Sequence, residues 1–307
     1  MKKRLLVIAV LLMAAFVCIT VLNGMDTELS PSEPSGSGTA ATDTADIKPS
    51  SKGSPYKFYF ERLTPVEKRA YNAIIEKIYD MPERIAVPKI DGKELDNVFS
   101  ALLFDNPDLF FLGRKCAVET RMWLTYFSVD YIINKADIAD MRERLERECE
   151  AFEQTLTDPG NQWRTELEIH DYVIDKCEYH DPEGDLIYSS SYGALVDGRA
   201  ACEGYSKAVK LLLDRAGIEN ALISGVSENG EGSGGAHMWN IVNIGGDYYH
   251  LDCTWDDPVS DDGGKLRMYT YFNLSDEMIS GTHRDFSYDF VCKSTAENYY
   301  IKTGTYF

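Results

Sequence analysis

The chain reads as an α+β protein, and three observations carry that expectation. Apolar residues recur at helical spacing in several separate stretches. Residues 115–133 alternate imperfectly and are rich in Tyr, Trp, Phe and Val. After a last helix near 201–216 the chain turns to short extended runs, two of them joined at Gly245-Gly246. Helix followed by antiparallel strands marks an α+β arrangement, as opposed to strands and helices in strict alternation.

Residues 1–24 come first. Met1-Lys2-Lys3-Arg4 is a positive start, and Leu5 to Leu22 is an uncharged, mostly apolar run of 18 residues. Such a segment predicts export, either as an uncleaved membrane anchor or as a signal peptide. The run is short for a membrane span and long for a signal, and no good Ala-x-Ala site follows it, which favours the anchor. Cys18 within it gives a weak likeness to a lipoprotein processing site. Residues 25–55 are rich in Ser, Thr, Pro, Gly and Asp and poor in large apolar residues. A segment of that kind buries too little surface to offset its ordering entropy, so a flexible spacer is expected.

The folded part is expected from Tyr56, with a helical and stranded region over 56–160. Thr64-Pro65-Val66-Glu67 is a helix start, with Thr64 as N-cap, Pro65 at the first helical position and Glu67 closing a capping box. Val66, Ala70, Ile74, Ile75 and Ile78 form its apolar stripe. A second helix is predicted over 94–104, stopping before Asn106-Pro107. Strands are predicted within 115–133. Residues 136–156 form a charged amphipathic helix with Ile138, Met141, Leu145, Cys149, Phe152 and Leu156 along one face. A second region, 161–307, opens with a helix over 162–176 that carries Trp163, Leu167, His170 and Ile174 on its stripe. The helix at 201–216 is stopped by Gly217. An apolar run (221–226), a glycine-rich loop (227–235) and the two strands about Gly245-Gly246 complete the pattern.

The chain has 31 basic and 50 acidic residues and a net charge of −19, with no basic cluster beyond its first residues. That disfavours nucleic acid as a partner, because phosphate binding needs clustered Lys and Arg. Seven cysteines are scattered without a CxxC pair, so zinc-ligand spacing is missing and no disulfide framework is evident.

Cys202, His237 and Asp252 are the candidate catalytic residues. A thiol attacks a carbonyl carbon as the thiolate, and an imidazole held by a carboxylate supplies the activation. Cys202 falls in the first turn of its predicted helix, where free N–H groups and the positive dipole end favour an anion and could hold an oxyanion. Gly204 keeps bulk away beside it. A two-residue turn at Gly245-Gly246 makes Ile244 face Asp247, so cross-strand partners sum to 491 and His237 faces Thr254. His237 and Asp252 then share one face as diagonal neighbours, whereas a three-residue turn would separate them.

Three pieces of sequence bear on the family: Tyr192-Gly193-Ala194-Leu195-Val196 leading to Ala201-Cys202-Glu203-Gly204-Tyr205; His237-Met238-Trp239-Asn240; and Tyr248-Tyr249-His250-Leu251-Asp252 running to Thr254-Trp255-Asp256-Asp257-Pro258. Together, across about 169–255, they resemble the bacterial transglutaminase-like domain of the papain-like cysteine-enzyme superfamily. The resemblance implies a cysteine helix packed on an antiparallel sheet, with Cys202 as nucleophile, His237 as general base and acid, and Asp252 as its orienter. It implies no cofactor, and acyl transfer or hydrolysis at amide bonds of a protein or peptide substrate. Met238 after the histidine and Ala201 before the cysteine depart from the more usual Ala and Val; both changes are apolar. Residues 56–160 also resemble the region that often precedes this domain in Gram-positive surface proteins. A cysteine peptidase or amidase acting on cell-wall peptides would use the same residues, and a catalytically silent surface scaffold would keep only the fold.

Tyr192 is a candidate for the oxyanion site and Trp239 for a wall of the substrate channel, each set against plain core packing. His170 lies on an apolar stripe and reads as core. His250 shares the face of Asp252 and is a rival to His237, as is His180. Cys177 and Cys253 read as structural thiols. Asp256-Asp257-Pro258 with Asp261-Asp262-Gly263-Gly264 lacks the spacing and terminal Glu of a calcium loop, so acidic turns and no metal are expected.

Overall fold

The computed structural model describes residues 47–122, 124–228, 234–258 and 266–285. The predicted anchor, Cys18, Cys292 and the Asp261–Gly264 turn lie outside the described residues. Among the described residues no helix is long and apolar enough to cross a membrane.

Helix α1 (Pro65–Ile78) starts as its sequence dictates: the Thr64 side chain accepts from the Glu67 N–H while Glu67 accepts from Thr64, and Pro65 opens the helix. Strand β1 (Ile85–Val87) follows, then α2 (Gly92–Asp105). A second capping box, Asp91 with Glu94, starts α2 two residues before the predicted position. Strands β2 (Leu112–Arg121) and β3 (Leu124–Tyr131) form an antiparallel hairpin, and β1 pairs on the far edge of β3. Helix α3 (Ile138–Glu153) buries Ile138, Leu145, Cys149 and Phe152, much of the predicted stripe.

The second region begins with α4 (Gln162–Lys176), capped by Asn161. Short strands β4 (Glu178–Tyr179) and β5 (Arg199–Ala200) pair in parallel on either side of a 3₁₀ turn (Leu186–Ser189) and a π turn (Gly193–Asp197). Helix α5 (Cys202–Arg215) ends at Ala216 and Gly217, whose φ of +71° is the left-handed stop the sequence predicts. Then come β6 (Asn220–Glu228), β7 (Gly234–Ile244), β8 (Asp247–Leu251), a short helix α6 (Asp276–Ile279) and β9 (His283–Arg284). These four strands form an antiparallel sheet in the order β8-β7-β6-β9.

The β7–β8 turn has the predicted length. Gly245 and Gly246 have φ of +65° and +95°, both positive, as a two-residue turn of this type requires. Ile244 therefore faces Asp247 and Asn240 faces Leu251. Period two then sorts the sheet into two faces. Asn240, Val242 and Leu251 lie on the face toward α5, where the Asn240 amide donates to the Ser206 carbonyl at 3.0 Å. Ile223, Trp239 and Ile241, with Tyr248, make a separate small cluster on the other face.

One hydrophobic core runs through both regions, from Phe60, Tyr71 and Ile74 to Tyr205, Leu212 and Leu251. Polar bonds reinforce the join: Tyr59 donates to the Leu222 carbonyl and Ser191 to the Pro107 carbonyl, both at 2.7 Å. The start of the folded part needs correction. Residues 47–55, expected in the spacer, are held against the helices. The Ser50 N–H donates to Asn72 at 2.9 Å and the Ser54 N–H to Asn106 at 3.2 Å. Their anchors are side chains more than twenty residues away, which local composition does not reveal.

Candidate active site

Cys202 is the first residue of α5. Its N-cap, Ala201, provides no side-chain cap, which leaves the first-turn N–H groups without the oxygen that usually satisfies them. Of the five free cysteines among the described residues, four are buried and only Cys202 is partly open to solvent. Burial pushes the thiols of Cys116 and Cys149 up to about 12 and that of Cys253 well above its ordinary value, so those sulfurs are held as inert thiols.

His237 lies near the start of β7, paired with Gly225 of β6. Asp252 lies one residue past the end of β8, so the predicted diagonal becomes a direct contact: His237 Nε2 meets Asp252 Oδ2 at 2.7 Å. With Nε2 engaged by Asp252, Nδ1 is the ring nitrogen left over, and Cys202 is near enough for its charge to act on the imidazole. Burial disfavours the imidazolium. Asp252 first, and then Cys202, outweigh that penalty and hold the ring well above its ordinary pKa. Burial works against the Asp252 carboxylate as well, but His237 and then His283 overcome it and hold the group well below the usual carboxylate range. Asp252 Oδ1 accepts the backbone N–H groups of Thr254 (3.0 Å) and Trp255 (3.3 Å), which fixes the carboxylate plane.

His283 is the partner that sequence reasoning missed. Its Nε2 meets the same Asp252 Oδ2 at 3.0 Å and its Nδ1 meets Thr282 Oγ1 at 2.8 Å. No motif surrounds it, and only its being one of five histidines marks it. One nitrogen from each of His237 and His283 and an Asp252 oxygen lie within 4.8 Å of one another, close enough to share a metal ion. Their hydrogen bonds to one another already account for the cluster, so the donor set fits an ionised carboxylate bridging two imidazoles.

Trp239 shares the face of His237 and stacks on it, centroids 5.9 Å apart and planes 19° apart. It is fully buried, and its indole N–H donates to His250 Nδ1 at 3.0 Å, so it supports the imidazole from inside the protein. The half-buried Trp255, 6.1 Å from the His237 ring, is better placed to border an approach. Tyr192 does not join the cluster. Its ring lies 5.1 Å from Phe110 and 5.5 Å from the Arg144 guanidinium, and the charges that act on its hydroxyl are Arg144, Asp197 and Asp140. It faces α3, because the π turn that follows it directs the ring into the core.

The other titratable candidates have structural partners. His250 Nε2 meets Asp276 at 2.8 Å while its Nδ1 holds Trp239, so neither nitrogen serves Cys202. His170 bridges Asp171 (3.0 Å) and Asp256 (3.2 Å) within the core. His180 packs edge-on against Tyr188. Asp257 accepts from Tyr205 of α5 at 2.6 Å, so the acidic turn anchors the cysteine helix. Glu203, next to Cys202, pairs with Arg114 of β2 and with Lys207.

Residues 150–253 match the family model described as the transglutaminase-like superfamily. No curated protein matches the chain. Among solved structures, a TGase is 13% identical with a TM-score of 0.31, over 60% of this chain and 58% of that one. A proposed cysteine protease from Cytophaga hutchinsonii is 13% identical with a TM-score of 0.29, over 47% of this chain and 56% of that one. A proposed protease from Parabacteroides distasonis is 17% identical with a TM-score of 0.28, over 52% and 34%. The matched part of the chain thus spans less than two thirds of each of these solved proteins.

Proposed function

Taking as premise that this chain carries a transglutaminase-like domain, matched over residues 150–253, we propose that it is a thiol enzyme acting on protein or peptide amide bonds through Cys202, His237 and Asp252. One observation supports this most strongly: His237 is held on Nε2 by a buried carboxylate at 2.7 Å, and the most open of the described cysteines, Cys202, is close enough for its charge to act on the same ring. The Cys202 thiolate attacks the carboxamide or peptide carbonyl carbon. His237 takes the thiol proton and passes it to the departing amine or ammonia as the tetrahedral adduct collapses to an acyl-enzyme. Free N–H groups at the start of α5 stabilise the oxyanion. Water or a second amine then attacks the thioester and returns the thiol. Asp252 orients the imidazole and stabilises its charged form without taking the proton. Tethering outside the membrane by residues 1–24 is part of the same proposal and rests on the sequence pattern alone.

The test is reaction of the full chain with iodoacetamide, an electrophilic amide, followed by peptide mapping. Cys202 should react at least tenfold faster at pH 7 than a small-molecule thiol of ordinary pKa, and His237→Ala should abolish the advantage. An ordinary rate at Cys202 would leave only a binding scaffold. Ammonia release with cross-linking, against simple chain cleavage, separates an amine acceptor from water.

A further inference from the structure

We propose that His283 is a positioning residue for the reaction assigned above: a second imidazole, delivered by β9, that locks the Asp252 carboxylate so that it holds His237 toward Cys202. The inference rests on the thiol-enzyme reading and adds a residue to it. A carboxylate offers about four acceptor sites. In Asp252 all four are used: Oδ1 takes the N–H groups of Thr254 and Trp255, and Oδ2 takes His237 at 2.7 Å and His283 at 3.0 Å. Without His283 the oxygen that serves His237 keeps one open site in a buried setting, and the carboxylate gains freedom to turn. With His283 in place, each oxygen has two fixed partners and one orientation.

The fold invests in this contact. β9 has only two residues, and it pairs with β6 so that His283 faces Ser227. Gly225, the β6 residue opposite His237, has no side chain; a Cβ there would lie 2.8 Å from the Trp239 ring and 2.7 Å from the Arg284 carbonyl. That gap lets the His283 ring reach over β6 to Trp239, with ring centres 4.8 Å apart. Trp255 at 4.9 Å and Tyr271 at 5.6 Å close around it, and Thr282 holds the far nitrogen. The titratable groups facing the ring are Asp252, His237, His250 and Tyr271. Of these the carboxylate alone is an anion at neutral pH, so His283 Nε2–H donates to it.

The experiment measures the alkylation rate of Cys202 by iodoacetamide across pH 5–9, in wild type, His283→Leu, His283→Gln and Thr282→Val, with circular dichroism as the check on folding. His283→Leu should slow the reaction about tenfold at pH 7 and move the pH profile by about one unit toward that of an ordinary thiol. His283→Gln, which keeps an N–H donor at a similar reach, should recover to within about threefold of wild type. Thr282→Val, which only loosens the ring, should move the profile in the same direction by less, and it decides the matter if His283→Leu does not fold. A profile for His283→Leu that superimposes on wild type overturns the proposal, as does equal impairment of the Gln and Leu variants, or an unmoved Thr282→Val profile where His283→Leu does not fold. A wild-type Cys202 with ordinary reactivity overturns the thiol-enzyme reading itself, so the two failures are distinguishable.

Discussion

Arg114 of β2 forms an ion pair with Glu203, the residue immediately after Cys202. The region whose purpose the sequence leaves open therefore touches the first turn of the cysteine helix. Lys207 holds the other oxygen of Glu203 at 2.8 Å. Burial disfavours ionised Glu203, but Lys207 and then Arg114 overcome it and hold the carboxyl well below its ordinary range. With Arg114 removed, a less compensated negative charge stands on the residue next to Cys202, whose sulfur becomes an anion in the proposed reaction. Arg114→Ala should slow Cys202 alkylation severalfold at pH 7, and adding Glu203→Gln should restore most of the rate. No recovery in the double variant would show that Arg114 acts through something other than this charge.

Asp252→Asn replaces a buried carboxylate that bridges two imidazoles. The amide cannot stabilise imidazolium, so the Cys202 alkylation rate at pH 7 should fall on the order of 10²-fold. Because the folded pKa of Asp252 lies below its unfolded value, the stability it contributes is present above about pH 4 and is lost as pH falls further. The melting temperatures of variant and wild type should therefore converge below pH 4; a gap that is constant with pH would contradict that linkage.

Trp239→Phe keeps an aromatic ring beside His237 but removes the N–H that satisfies His250 Nδ1. A buried acceptor left open should cost about 1–3 kcal/mol in denaturant unfolding. The loss should shrink in the background of His250→Phe, where there is no acceptor to satisfy. Equal losses in both backgrounds would show that volume, and not the hydrogen bond, sets the cost.

Glu166 of α4 is buried, and burial pushes its carboxyl up to about 8 against the opposing pull of Asn273 and His170. An unfolded chain releases that proton near about pH 4.3. The folded state thus binds more protons than the unfolded state between these values, and stability falls as pH rises through that window. Glu166→Gln stays neutral at every pH. Its melting temperature should gain on wild type by about 5 °C or more between pH 5 and pH 8. An unchanged difference between those two pH values would mean that Glu166 is not the group responsible.

Most of the helices, and one decisive register, are legible along the chain. Thr64-Pro65-Val66-Glu67, the stripe of α3 and the stop at Gly217 are local signals, and each is met by local structure. The β7–β8 pairing was equally legible, because a two-residue Gly-Gly turn leaves one alignment and period two then places His237 and Asp252 on one face. Long-range packing sets the rest, between residues far apart in the chain: the docking of 47–55 on α1 and α2, the turning of Tyr192 toward α3, the Arg114–Glu203 pair and the arrival of His283 at Asp252. Periodicity and capping report how a segment relates to its own neighbours within a few residues. They carry no record of which distant backbone will pair with an edge such as that of β6, and that pairing is what brings a second imidazole to the carboxylate.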